Sequence, residues 1–198
     1  MNVVFDLGGV VFNWQPEALI RGVFADPESQ ASAMKGIIRH ADWVELDRGS
    51  ITLEQAIHRA TLRTGLPRQD IESLFHAVPR SLTPIEETVA LIRDVRDANN
   101  RLFVLSNMHS ASIAYLEGEH NIWDLFDGAV ISCRVETVKP ELAIYEYLLN
   151  EYQLIAAETI FIDDMAENVE AASSLGIQTI RFFDPLQCRQ ALANLECI

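Results

Sequence analysis

The sequence predicts an α/β fold, a doubly wound parallel sheet with a small helical cap inserted after its first strand. Three observations predict it. Short apolar runs that stop at a polar residue recur along the chain, amphipathic helical patterns separate the later runs, and residues 15–81 carry helical patterns alone.

The first run, Val3 to Phe5, stops at Asp6. A continuous apolar run of this length fits a parallel strand, which is buried on both faces because helices cover both. Three apolar helix faces then follow: Leu19, Ile20, Val23 and Phe24; Leu53, Ala56, Ile57 and Ala60 behind a Thr52-x-x-Gln55 capping box; and Ile71, Leu74, Phe75 and Val78. They place a helical cap over 15–81 and an α/β core in 1–14 and 82–198. Thr83-Pro84-Ile85-Glu86 reads as a second capping box opening a helix over 84–99, with Ile85, Val89, Ile92 and Val95 on its inner face. Strands two and three are Leu102–Leu105 before Ser106 and Ala129–Ile131 before Ser132. A helix over 140–152 carries Ile144, Tyr145, Leu148 and Leu149. Strand four is Thr159–Ile162 before Asp163, a helix over 166–175 stops at Gly176, and residues 178–183 make strand five.

Composition narrows the function. Fifteen Lys and Arg against 29 Asp and Glu give a net charge of −14, which argues against nucleic acid as a partner, since phosphate-backbone affinity needs clustered cations. With 49% hydrophobic and 22% charged residues the chain can bury a sizeable core. Cys133, Cys188 and Cys197 show no C-x-x-C spacing, and the five histidines show no H-x-x-x-H or H-E-x-x-H pairing, so disulfide and zinc chemistry are not indicated. The apolar run after Met1 is too short for a signal segment or a membrane span, so a cytoplasmic location and no membrane partner are expected. Nothing in the sequence assigns an oligomeric state.

In an open α/β sheet the ligand crevice lies at the carboxyl ends of the strands, near the point where strand order reverses. Those ends deliver Asp6-Leu7-Gly8-Gly9-Val10, Ser106-Asn107, Lys139-Pro140, and Asp163-Asp164 with Asn168 a turn later. Clustered carboxylates repel one another unless a hard cation sits between them, and Mg²⁺ takes one or two carboxylates plus waters and a phosphate oxygen. Lys139 would neutralise phosphate charge and help keep Asp6 ionised. Ser106 and Asn107 offer donors to phosphoryl oxygens, and the two glycines let backbone approach a ligand.

The segments FDLGGV at 5–10, LSN at 105–107, VKPE at 138–141 and FIDDMAENVEAA at 161–172 resemble the four motifs of the haloacid dehalogenase (HAD) superfamily. The helical insertion is similar to its small cap, so the resemblance spans essentially the whole chain. Within the superfamily the chain is most similar to the alpha-D-glucose-1-phosphate phosphatase type, and more distantly to the N-terminal phosphatase domain of soluble epoxide hydrolases. The resemblance implies a Mg²⁺-dependent phosphatase acting on a small phosphorylated substrate such as a sugar 1-phosphate. Asp6 would attack phosphorus to form an aspartyl-phosphate that water hydrolyses. The Asp6 carboxylate, the Gly8 carbonyl and Asp164 would bind the metal, with Asp163 a direct ligand or orienting a metal-bound water. Ser106 and the Asn107 backbone would hold the phosphate, and Lys139 would bind both it and Asp6.

One departure matters. The phosphatase pattern usually carries a second Asp two residues after the nucleophile, as acid and base, where this chain has Gly8; the glucose-1-phosphate phosphatase type shares D-L-G-x-V. Unaided leaving-group departure is one expected consequence. His109 is a candidate substitute, its alternative being a structural residue near a helix start. Three competing readings are a metal-free 2-haloacid dehalogenase, a catalytically silent HAD-fold protein that binds a phosphorylated ligand, and a phosphomutase. Adjacent carboxylates at 163–164 speak against the first, retention of Asp6, Ser106, Lys139, Asp163 and Asp164 against the second, and the missing acid against the third. Specificity falls to the cap, where Trp43 would stack on a sugar and Arg48 would hydrogen-bond it, unless they are a core Trp and a loop Arg. Trp14, at the hinge, is expected to pack.

Overall fold

A computed structural model describes residues 1–198. Five strands form one parallel sheet: β1 (Asn2–Phe5), β2 (Arg101–Ser106), β3 (Gly128–Ile131), β4 (Thr159–Asp163) and β5 (Gln178–Arg181), in the order β3-β2-β1-β4-β5. Strand β1 is central, pairing Val3 with Leu102 on one side and with Ile160 on the other. The chain builds outward from β1 through β2 to β3, then crosses back to lay β4 against the opposite edge of β1. Strand order therefore reverses between β1 and β4, which places the crevice above Asp6 and Asp163.

Alternation along each strand sends side chains to two apolar layers. Val3, Phe5, Leu102, Val104, Ile160 and Ile162 share one layer with helices α6 (Glu86–Asp97), α7 (Ser110–Glu119) and α11 (Pro185–Asn194). Val4, Phe103, Leu105 and Phe161 face the other, covered by α9 (Leu142–Glu151) and α10 (Ala166–Ser174). A four-residue helix, α8 (Ser132–Val135), follows β3 directly.

Between β1 and α6 the chain is helical throughout: α1 (Pro16–Val23), α2 (Pro27–Ala33), a π-helical turn over Met34–Ile38, α3 (Ala41–Arg48), α4 (Leu53–Thr64) and α5 (Arg68–Ser81). Ile20, Phe24, Ile37, Leu46, Ile57, Ile71, Leu74 and Phe75 form an apolar core of their own, separate from the two sheet layers. Three helix faces are visible in the sequence here; α2, the π turn and α3 are additional. Short, polar segments such as PESQASA show no periodic stripe, and tertiary packing holds them. Val78 leaves this core and lines a cavity between bundle and sheet. No helix is long and apolar enough to cross a membrane.

One sequence expectation fails. Thr83 does not cap a helix; α6 begins at Glu86 with Ile85 at the N-cap and no side-chain cap. The backbone at 83–85 is used instead to bind the segment after β1: Asn13 N–H donates to the Thr83 carbonyl at 2.8 Å, Ile85 N–H donates to the Val11 carbonyl at 2.8 Å, and the Asn13 amide donates to the Thr83 hydroxyl at 3.1 Å. The Thr52–Gln55 box does form, with Gln55 N–H donating to the Thr52 hydroxyl at 3.2 Å and Thr52 N–H to the Gln55 side chain at 2.8 Å. Thr52→Ala should therefore lower stability by about 0.5–2 kcal/mol through fraying of α4, read as a drop in Tm, while Thr83→Ala leaves the start of α6 unaffected.

Candidate active site

Lys139 joins two of the strand ends. Its ammonium lies 2.9 Å from Asp6 Oδ1 and 2.6 Å from Asp163 Oδ2, and it donates to the Leu105 carbonyl at 3.0 Å. Its side chain is 1% exposed, and that of Asp163 is fully buried. Asn107 fixes the lysine from the main chain: Lys139 N–H donates to Asn107 Oδ1 at 2.8 Å, and Asn107 Nδ2 donates to the Lys139 carbonyl at 2.9 Å. Both polar ends of the Asn107 side chain are committed to this clamp, which leaves its main chain to meet a ligand.

Asp163 is saturated. Besides Lys139 it accepts from Met165 N–H at 2.8 Å and from Asn168 Nδ2 at 3.0 and 3.1 Å. Asn168 is itself held by Tyr145, whose hydroxyl donates to the Asn168 carbonyl at 3.0 Å. Asp6 receives Leu7 N–H at 2.7 Å. Its pKa is pushed up to about 7 by burial, against Lys139, with Asp163 and Asp164 adding repulsion. Burial, then Asp163, also raises Asp164. Burial alone would depress Lys139, but Asp6 and Asp163 outweigh it and hold the ammonium above its ordinary value.

A cavity of about 200 Å³ opens above these groups, lined by Asp6, Gly8, Asn107, Lys139, Asp164 and Asn168 from the sheet side and by Trp43, Asp47 and Val78 from the helical insertion. Trp14, Leu82, Met108, His109, Ser112 and Met165 complete the wall. Gly9 is what lets Asp164 come close: it has φ +82°, and a Cβ there would sit 2.8 Å from Asp164 Oδ2. One carboxylate oxygen from each of Asp6, Asp163 and Asp164 lies within 4.8 Å of the others. Three carboxylates face one lysine, a donor set that fits a hard divalent cation. Ser106 is buried at the end of β2, outside the cavity lining, and its hydroxyl has no hydrogen-bond partner.

Two predicted positions behave differently. Arg48 does not reach the cavity; its guanidinium makes a bidentate pair with Glu141 at 2.8 and 2.7 Å and lies 3.5 Å from Glu45. That pairing holds Glu141 down at about 2. The carboxylate that claims Arg48 lies 93 residues away in sequence, which no local pattern reveals. Trp43 does line the cavity, but its ring packs on Phe75 at 5.7 Å and 16°, on Trp14 at 5.7 Å, and edge-on to His109 at 6.1 Å. Trp14 packs as expected and lines the cavity as well. His109 is buried, its Nε2 lies 3.0 Å from the Ser112 hydroxyl, and burial pushes its pKa down to about 4, so the ring is neutral at neutral pH.

Sequence reasoning missed Asp47, which brings a further carboxylate to the cavity from the last turn of α3. Burial drives its pKa up to about 7; the His109 backbone N–H and the Trp43 side chain oppose this, and the Asp6 charge adds to it. The signal in the sequence was a carboxylate near a helix C-terminus, where the helix dipole disfavours negative charge. A folded-state pKa near 7 against an unfolded value of 3.8 means the native state binds the extra proton, so stability from this group falls as pH rises between those values. Asp47→Asn should accordingly raise Tm at pH 8, and the gain should vanish as pH is lowered through about 7 to 4, measured by thermal unfolding without metal.

Known proteins resemble this chain along nearly all of its length. Residues 51–182 match the family described as haloacid dehalogenase-like hydrolase. A sesquiterpene phosphatase of Aspergillus oryzae is 31% identical over 192 residues, covering 97% of this chain and 94% of the relative. A drimenol cyclase of Aspergillus calidoustus is 27% identical over 98% of this chain, which spans only 36% of that longer relative. Among solved structures, a HAD family enzyme of Bacteroides thetaiotaomicron, in complex with magnesium and inorganic phosphate, superposes with a TM-score of 0.68 at 20% identity, covering 90% of this chain and 92% of that one. The match to more than half of the chain, and a relative above 30% identity along nearly all of it, establish that this chain belongs to the haloacid dehalogenase-like hydrolase family.

Proposed function

We propose that the chain is a Mg²⁺-dependent phosphomonoesterase in which Asp6 is the nucleophile, with residues 15–81 acting as a cap over a core of 1–14 and 82–198. The observation that carries this reading is the convergence of Asp6, Asp164 and the sealed Lys139 on one cavity at the switch point. The Asp6 and Asp164 carboxylates and the Gly8 carbonyl would hold the metal, which when bound supplies positive charge to a transferring phosphoryl group. Asp163, saturated by Lys139, Asn168 and Met165, supports the lysine in this reading and orients rather than ligates. Lys139 keeps the buried Asp6 competent as an anion and faces the phosphate. The unpartnered Ser106 hydroxyl and the Asn107 main chain are the donors assigned to phosphoryl oxygens.

For the alcohol part of the substrate, the lining favours an apolar group. Trp14, Trp43, Val78, Leu82, Met108 and Met165 supply it. The relative named a sesquiterpene phosphatase supports the same choice. The sugar 1-phosphate expected from the resemblance to the alpha-D-glucose-1-phosphate phosphatase type has less support, since Arg48 is bound to Glu141 and Trp43 is packed among aromatic neighbours. With a net charge of −14, the partner we assign is a small phosphorylated molecule and not a nucleic acid.

Phosphate release from a prenyl monophosphate, glucose 1-phosphate and an aryl phosphate, with and without Mg²⁺, tests the reading. Turnover of the first two should differ by at least tenfold in favour of the prenyl ester, and chelation should abolish both. Asp6→Asn should remove activity on every substrate while the protein still folds, at a lowered Tm because Lys139 loses one of its two carboxylate partners; undiminished turnover by that variant would rule the assignment out. Asp164→Asn should raise the Mg²⁺ concentration for half-maximal rate by about tenfold or more. Arg48→Ala should change KM for the sugar and aryl esters by the same small factor, because the guanidinium clasps Glu141 instead of substrate.

A further inference from the structure

Resting on the phosphatase reading, one half-buried carboxyl in the cavity wall is left without a task. We propose that Asp47, carried by the insertion, is the acid that protonates the departing oxygen and the base that then activates water.

The position of Asp47 is built. Three consecutive residues of α3 and its C-cap dock on the sheet domain by different means. The Asp47 carbonyl accepts from the hydroxyl of Ser132, a fully buried residue that also accepts from Met108 N–H at 2.9 Å. Arg48 is clasped by Glu141. Gly49 closes the helix with φ +84°, and a Cβ there would come within 2.9 Å of the Cys133 carbonyl oxygen, so only glycine lets this turn lie flush on the backbone after β3. These contacts hold the Asp47 side chain in the wall of the cavity that contains Asp6, Gly8 and Asp164.

The other titratable groups there are committed. Lys139 is bound to Asp6, Asp163 and the Leu105 carbonyl, and it remains an ammonium. Asp164 is assigned to the metal. His109 is neutral and shares its Nε2 with Ser112. Asp47 remains, a carboxyl in the same cavity wall as Asp6, where desolvation and the Asp6 charge favour the protonated form that the first step needs.

The proton and electron balance closes over two steps. An Asp6 oxygen forms the bond to phosphorus, the phosphorus–oxygen bond to the alcohol breaks, and the Asp47 proton passes to that oxygen, giving free alcohol and an Asp47 carboxylate. Water then attacks phosphorus and gives its proton to Asp47, while the Asp6–phosphorus bond breaks. Phosphate leaves, and both side chains return to their starting states.

The test is kcat/KM across phosphate esters of graded leaving-group pKa, from 2,4-dinitrophenyl to simple alkyl, for the parent, Asp47→Asn and Gly49→Ala. Loss of a general acid costs about 10²–10⁴ where the leaving group is poor. Asp47→Asn should therefore lose that factor on alkyl esters and less than about tenfold on the dinitrophenyl ester. Gly49→Ala, which displaces the carboxyl without removing it, should steepen the dependence in the same direction. Equal losses across the series, or no loss at all, would overturn the role of Asp47 while leaving the phosphatase reading in place. A parent enzyme that hydrolyses none of the esters would overturn that reading and this proposal together.

Discussion

The structure depends on one buried cation. Lys139 is sealed between Asp6 and Asp163, and neither carboxylate could stay charged at that depth without it. A buried ion pair gains little over a well-packed apolar core, but removing one partner leaves an uncompensated charge, typically at a cost of about 3–5 kcal/mol. The surrounding polar groups make sense as support for this pair. The Leu105 carbonyl uses another ammonium proton, Asn107 pins the lysine backbone, Asn168 and Met165 N–H fill the remaining acceptor sites on Asp163, and Tyr145 holds Asn168. With Asp163 satisfied in this way, charge imbalance is left at Asp6 and Asp164, the two carboxylates that line the cavity from the sheet side.

The sheet provides the depth. Strand β1 is hydrogen-bonded on both sides and apolar on both faces, so the carboxylate that follows it is necessarily near the centre of the molecule. The adjacent edge of β4 delivers Asp163 in register, with Asp6 N–H bonded to the Ile162 carbonyl at 2.9 Å. Lys139 arrives from beyond β3, and the Asn107 clamp bridges its main chain to the end of β2.

The strand ends were legible because a parallel sheet writes them as apolar runs, and a polar residue that stops such a run stands out. Asp6 stops such a run, Asn107 and Asp164 come one residue after the ends of two others, and Lys139 lies in the loop beyond strand three; these four line one cavity. Contacts between distant segments were not legible. Thr83 looks like a cap, yet its backbone is needed by Asn13, and Arg48 looks free, yet Glu141 claims it. Gly8 suggests a site without an acid because the local motif carries no trace of α3. A Cβ at position 8 would meet only the Trp14 Cβ, at 4.0 Å, so the backbone there has room for the start of a side chain. The carboxylate in the cavity comes instead from α3, at a helix end where the dipole opposes it.

A proton donor mounted on the insertion has a different consequence from one mounted beside the nucleophile. The nucleophile and its lysine are fixed by the sheet, whereas Asp47 is in place only while Ser132, Glu141 and the backbone at Cys133 hold α3 down. The same helix sets Trp43 in the cavity wall. Acid catalysis would then depend on the seating of α3, and a substrate whose alcohol portion packs against Trp43 would itself favour the seated state. Selectivity for the alcohol would thus be expressed in the rate of phosphorus–oxygen cleavage as well as in binding.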